Sequence, residues 1–188
     1  MKTVMLLMVT GILLVSCASA PTPTIPQVIA FGDSFVDTGN GLQLLKQAVE
    51  AKEAPEYELD NFLEISWEGR PTNGPLAVEI LANQFDASLT SYGVIESRSD
   101  FGSNWESMSQ FDGTGLLGQV FKYKSELGGK QADPDTLFFI HTGTYDLALH
   151  LMFSSNLSDK AMAYLADQTI TNIRNASRNE RFWRAASR

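Results

Sequence analysis

Residues 32–34, Gly-Asp-Ser, break an apolar run, Val28-Ile29-Ala30-Phe31, and a second polar cluster, Asp37-Thr38-Gly39-Asn40-Gly41, follows at once. A serine held at the end of a strand does acyl-transfer chemistry when a base takes its proton and N–H donors face the developing oxyanion. Ser34 is therefore a candidate nucleophile, and the next question is where its base lies. The chain has two histidines, His141 and His150. His141 sits inside the apolar stretch "TLFFIHTG" and reads first as a packed or sheet-surface histidine. His150 follows Asp146 by one helical turn, which places both on one face, and it reads as part of a solvated helix surface. The same glycines allow another chemistry, a loop over 32–41 whose backbone N–H groups hold a phosphate, although it fits no known phosphate motif. No metal or organic cofactor is implied.

The elements that position these residues follow from the pattern of apolar residues. With 188 residues the chain makes one domain with a real core, and 44% hydrophobic residues argue against wholesale disorder. A net charge of -8 argues against a nucleic-acid partner. Residues 28–31 predict a buried parallel strand. Leu42, Leu45 and Val49 predict a helix closed by Pro55. The turn-rich stretch 57–74 reads as a long surface loop. Pro75 opens a helix with Leu76, Val78, Ile80, Leu81 and Phe85 suited to packing on a sheet, and 88–94 reads as a second strand. After a loop over 95–110, a helix within 111–127 turns Leu116, Leu117, Val120 and Phe121 inward and closes at Gly128-Gly129. Residues 136–143 carry a third buried strand, with helices over 146–153 and 159–176. Strands alternating with helices give an α/β fold with parallel strands and right-handed crossovers. Ligands of such a sheet sit at the carboxyl ends of its strands, where Ser34 lies.

The ends of the chain read differently. Lys2 and the apolar stretch 4–15 form an export signal over 1–20. Leu14-Val15-Ser16-Cys17 resembles a bacterial lipobox, which makes Cys17 the lipid-bearing mature N-terminus, with Ala18-Ser19-Ala20 as a competing cleavage site. The protein is then exported, as an outer-membrane or cell-surface lipoprotein anchored in the membrane or, alternatively, secreted or periplasmic. Residues 21–26, "PTPTIP", suit an extended spacer, and the domain occupies 27–176. Five of the seven arginines fall within 174–188. The tail 177–188 is either a basic helix or a stretch where the chain leaves its reading frame or is cut short, and the second is preferred.

"FGDSFVDTGN" closely resembles the first block of the GDSL lipases and acylhydrolases, the SGNH hydrolases, in the branch of secreted phospholipases and thermolabile haemolysins. "GRPTNGPLAVEILA" (69–82) resembles the loop and helix that follow that block, and "DTLFFIHTGTYDL" (135–147) resembles the third block. The resemblance implies a three-layer α/β/α flavodoxin-like sheet of order 2-1-3-4-5, incomplete at the C-terminus, with Gly32, Asp33 and Asp37 as motif residues. It makes Ser34 the nucleophile, with its own N–H as an oxyanion donor. The second block's glycine is absent from "SYGVIES" or displaced to Gly93. Where the family's third block reads Gly-x-Asn-Asp, this chain reads Gly143-Thr144-Tyr145-Asp146. Tyr145 takes the asparagine's place, and its longer phenol is expected to overshoot. The family's base comes from a C-terminal Asp-x-x-His after two further strands, before which this chain ends. The expected function is hydrolysis of carboxylic or lipid esters through an acyl-Ser34 intermediate, near background in this chain. The alternative is a catalytically inactive, lipid-anchored surface binding protein.

Overall fold

The structure, a computed structural model, describes residues 24–153 and 158–178. Cys17, the export signal, the first half of the proline spacer and the tail from 179 onward lie outside the described residues. Three parallel strands, β1 (Gln27–Gly32), β2 (Ser88–Ser91) and β3 (Thr136–His141), form an open sheet in the order β2-β1-β3. Gln27 pairs with Ser88 on one side and Thr136 on the other, and Gly32 ends level with His141. The fold is thus mixed α/β with a parallel sheet.

β1 is central because both of its faces are apolar. Ile29 and Phe31 pack with Leu116, Val120 and Tyr123 of α4 (Leu116–Glu126) and Ala176 of α6 (Asp159–Ser177). Val28 and Ala30 pack on the opposite face with Leu76 and with Val78 and Ala82 of α3 (Ala77–Gln84). Each fully buried Val, Ile or Phe contributes roughly 1.5–3 kcal/mol. The strand that leads into Ser34 is therefore the best-anchored element of the sheet. A third cluster joins Leu45 and Ala48 of α1 (Asn40–Glu50) to Phe62 of α2 (Glu56–Ile65), Val94 and Met108. α5 (Thr144–Phe153) leaves the end of β3 through Gly143, at φ 106°.

Four sequence expectations change. The stretch 57–74 is not one loop, because α2 occupies its first half. Its acidic residues resemble loop composition, yet Glu56 and Glu58 favour a helix N-terminus, and Phe62 stacks on Trp105 at 5.8 Å. Phe121 points outward at 70% exposure. The inward stripe of α4 is Leu116, Gln119, Val120 and Tyr123, a helical i, i+3, i+4, i+7 set with a polar member that hides it. Ile80 and Phe85 are likewise exposed, leaving Val78 and Ala82 as the packed face of α3. β2 stops at Ser91, although Tyr92 and Val94 still donate N–H bonds to Ala30 and Gly32.

Candidate active site

Ser34 follows β1 after one tight turn. Gly32 lies at φ 140°, and a Cβ there would sit 1.7 Å from the His141 carbonyl oxygen, so only glycine lets β1 and β3 end side by side. The buried side chain of Gln119 fixes this turn. Its Oε1 accepts the Gly32 N–H at 2.7 Å, and its Nε2 donates to the Gly32 carbonyl at 2.8 Å and the Thr114 carbonyl at 2.6 Å. The Asp33 N–H donates to the His141 carbonyl, and Asp33 Oδ1 accepts the Phe35 N–H at 3.1 Å. These bonds turn the Ser34 side chain out of the strand end.

Ser34 Oγ accepts the Glu96 N–H at 3.2 Å and lies 2.9 Å from the Tyr145 hydroxyl. The Ser34 N–H has no acceptor among the described residues. Tyr145 therefore reaches the serine that its length was expected to overshoot. The reason is the start of α5: Asp146 accepts the Ser99 N–H at 2.9 Å and the Ser99 hydroxyl, and Asn104 Nδ2 donates to the Tyr145 carbonyl at 2.6 Å. Those bonds hold the base of Tyr145 back far enough for its hydroxyl to meet Oγ. Burial above all, with the charges of Glu96 and Asp33, pushes the Tyr145 phenol above the usual tyrosine range, so it stays protonated at neutral pH.

The glycine expected at the oxyanion turn has no counterpart facing Ser34. The Gly93 N–H donates to Ser91 Oγ at 3.1 Å. The amide that faces Oγ belongs to Glu96, a non-glycine residue at φ 57°. The Asp37 block holds it there. Asp37 is fully buried and accepts N–H bonds from Gly39 (2.9 Å), Gly41 (3.1 Å) and Ile95 (2.8 Å), while Asn40 Nδ2 donates to the Ser91 and Gly93 carbonyls. Asp37 and Asn40 thus fasten the loop after β2 to the start of α1, one residue before Glu96. Burial raises the Asp37 carboxyl to about 6 against these bonds, and it also raises those of Glu96 and Asp33.

Neither histidine bonds to Ser34. His141 Nδ1 lies 2.9 Å from Asp33 Oδ1, and its ring rests 4.7 Å from the Phe35 ring. It is a half-exposed strand-end histidine that ties β3 to the turn after β1. His150 is exposed on α5, and the Asp146 carboxylate one turn earlier is occupied by Ser99. Among the described residues no three His, Cys, Asp or Glu side chains converge as metal ligands, and no helix is long and apolar enough to cross a membrane.

A cleft of about 340 Å³ opens onto Ser34, lined by Phe35, Ile65, Pro71, Leu76, Ile95 and Tyr145 among others. Next to the lining residues Pro71 and Leu76, the Arg70 guanidinium bonds the Glu79 carboxylate at 2.6–3.0 Å while Glu79 accepts the Leu76 N–H at 2.9 Å. Sequence reading missed Gln119, Glu96 and this pair. An isolated Gln at an inward helical position was the one signal within reach.

No family model matches the chain, and no curated protein matches it.

Proposed function

We propose that Ser34 is the nucleophile of a GDSL-type ester hydrolase site. The single observation that carries this reading is the surroundings of Ser34 Oγ. It stands at the carboxyl end of the central parallel strand, faces the Glu96 N–H and the Tyr145 hydroxyl, has its own N–H without an acceptor among the described residues, and opens onto a mainly apolar cleft. The strand order β2-β1-β3 and the motif blocks support the finer assignment to a three-layer SGNH-type sheet.

In this reading Ser34 Oγ forms a bond to the ester carbonyl carbon, the alkoxy C–O bond breaks, and the serine proton leaves with the alcohol. Water then hydrolyses the acyl-Ser34 ester to the free acid. The Ser34 and Glu96 N–H groups serve the oxyanion, a contribution of about 3–4 kcal/mol per donor where such donors have been removed. Among the described residues no base bonds Ser34, and a phenol held protonated does not replace one, so turnover is slow. The same observation favours the second reading, a lipid-anchored binding protein without catalysis. The proposal keeps Cys17 as the lipid-bearing residue of an exported chain.

The test is p-nitrophenyl acetate with acid quench and intact mass. Acetyl-Ser34 appears in the wild type and is absent from Ser34→Ala. Identical acetylation and release in both proteins would sink the hydrolase reading.

A further inference from the structure

The sequence holds two Asn-Gly pairs, Asn40-Gly41 and Asn73-Gly74, and the fold treats them in opposite ways. In such a pair the glycine nitrogen attacks the asparagine side chain readily, because no Cβ shields it and its backbone turns freely. Two conditions must hold. The glycine nitrogen must be uncommitted, and the carboxamide must be free to swing onto it.

Asn40-Gly41 meets neither condition. It opens α1, where Asn40 Nδ2 donates to the Ser91 and Gly93 carbonyls at 2.9 and 2.8 Å. The Gly41 N–H donates to the Asp37 carboxylate at 3.1 Å, and a Cβ at Gly41 would sit 2.5 Å from Ile95 Cγ2. Asn73-Gly74 meets both. Asn73 is exposed in the irregular stretch between α2 and α3, and neither residue makes a hydrogen bond among the described residues. A Cβ at Gly74 would meet nothing within 4 Å. Asn73 also lines the cleft at Ser34.

We propose that Asn73 is a self-modification site, which cyclises onto Gly74, ends as aspartate or isoaspartate, and so adds a negative charge to the lip of the Ser34 cleft. The Gly74 nitrogen bonds to Asn73 Cγ, the Cγ–Nδ2 bond breaks, and the amide proton leaves with that nitrogen as ammonia. Water then opens the cyclic imide. Cleavage of the new Cγ–N bond gives aspartate, and cleavage of the original peptide bond gives isoaspartate. The new charge joins a wall that includes Phe35, Ile65, Leu76 and Ile95, where it opposes an oxyanion forming at Ser34. That effect on reactivity rests on the reading of Ser34 as the nucleophile, and the modification itself does not.

The experiment ages the full-length protein at mildly alkaline pH and follows it by peptide mapping with isoaspartate detection. Asn73 is expected to convert at least about tenfold faster than Asn40, where cyclisation must first break the bonds to Ser91, Gly93 and Asp37. In urea-unfolded protein the two convert alike, which isolates the fold as the cause. Gly74→Ala, whose Cβ meets open space, slows the conversion of Asn73 and leaves the fold intact. In Asn73→Asp, phosphonate labelling of Ser34 slows about threefold at low salt and recovers at high salt, as one like charge in a solvated cleft requires. Conversion of Asn73 no faster than that of Asn40 in the folded protein would overturn the inference. Labelling of Asn73→Asp at the wild-type rate would overturn the effect on the cleft. A wild type that stays unlabelled at Ser34 removes the nucleophile reading instead, while the mass of the aged Asn73 peptide still decides the modification.

Discussion

Gln119→Leu removes the side chain whose hydrogen bonds fasten the turn before Ser34 to α4. Leucine fills nearly the same volume, so packing changes little and the loss is polar. The Gly32 N–H, buried and bonded to Gln119 Oε1 at 2.7 Å, is left without a partner, which costs about 2 kcal/mol. The Gly32 carbonyl keeps the Val94 N–H and the Thr114 carbonyl keeps the Ser97 hydroxyl. Each therefore loses a bond without being orphaned, at roughly 0.5–1 kcal/mol apiece. The sum is about 3–4 kcal/mol, a large share of the roughly 5–15 kcal/mol typical of a domain. Urea unfolding followed by tryptophan fluorescence and far-UV dichroism measures it. Gln119→Glu separates polarity from shape. The carboxylate keeps an acceptor for Gly32 N–H but sets an oxygen against two carbonyls, so this variant is the less stable at pH 7. It recovers as the pH falls and the carboxyl becomes a donor. A Gln119→Leu protein within about 1 kcal/mol of wild type, or a Gln119→Glu loss unchanged by pH, would refute the clamp.

Asp37 makes stability depend on pH with an unusual sign. Its folded carboxyl titrates at about 6 instead of the ordinary 3.8, so its contribution is complete below pH 3.8 and is lost as pH rises through about 6. The difference amounts to about 3 kcal/mol, read as a denaturation midpoint for wild type that falls across this window relative to that of Asp37→Asn. Tyr145→Phe removes one hydroxyl from Ser34 Oγ while keeping the ring. Phosphonate labelling of Ser34 should slow at least about tenfold with stability changed by less than about 1 kcal/mol, and an unchanged rate would show that the phenol is only a neighbour. Thr136 to Ile140 carry apolar side chains into both layers with neither charge nor proline, yet β3 pairs only with β1 among the described residues. Alternate β3 amides should exchange with deuterium far faster than those of Val28 to Phe31, with oligomers growing at high concentration. Equal protection in a monomer would exclude an open edge.

The α/β class was legible because β1 is uninterrupted apolar sequence, and because the stripe Leu42-Leu45 and the run Leu137-Phe138-Phe139 carry their periods openly. Ser34, Asp37 and the turn at Gly143 were legible because glycine and aspartate mark positions that need special backbone or buried bonds. What stayed hidden was tertiary. Glu96 contributes a backbone N–H, which its side chain does not reveal, and it adopts φ 57° because Asp37 and Asn40 hold the preceding residues. The reach of Tyr145 depends on Ser99 and Asn104, more than 40 positions away. α2 was hidden by composition, since only Leu59 and Phe62 face the neighbouring helix while its acidic residues resemble a loop.

The most direct measurement is the rate and position of covalent labelling by an alkyl fluorophosphonate, read by intact mass and peptide mapping. The phosphorus bonds to a serine oxygen as fluoride departs, so the reagent reports nucleophile and oxyanion donors together without requiring a second catalytic step. The expected result is one adduct on the peptide containing Ser34, absent from Ser34→Ala and accelerated by a longer alkyl chain that fills the Phe35–Ile65 cleft. Folded wild-type protein that stays unlabelled, or labelling that persists in Ser34→Ala, would contradict the assignment of Ser34 as the nucleophile.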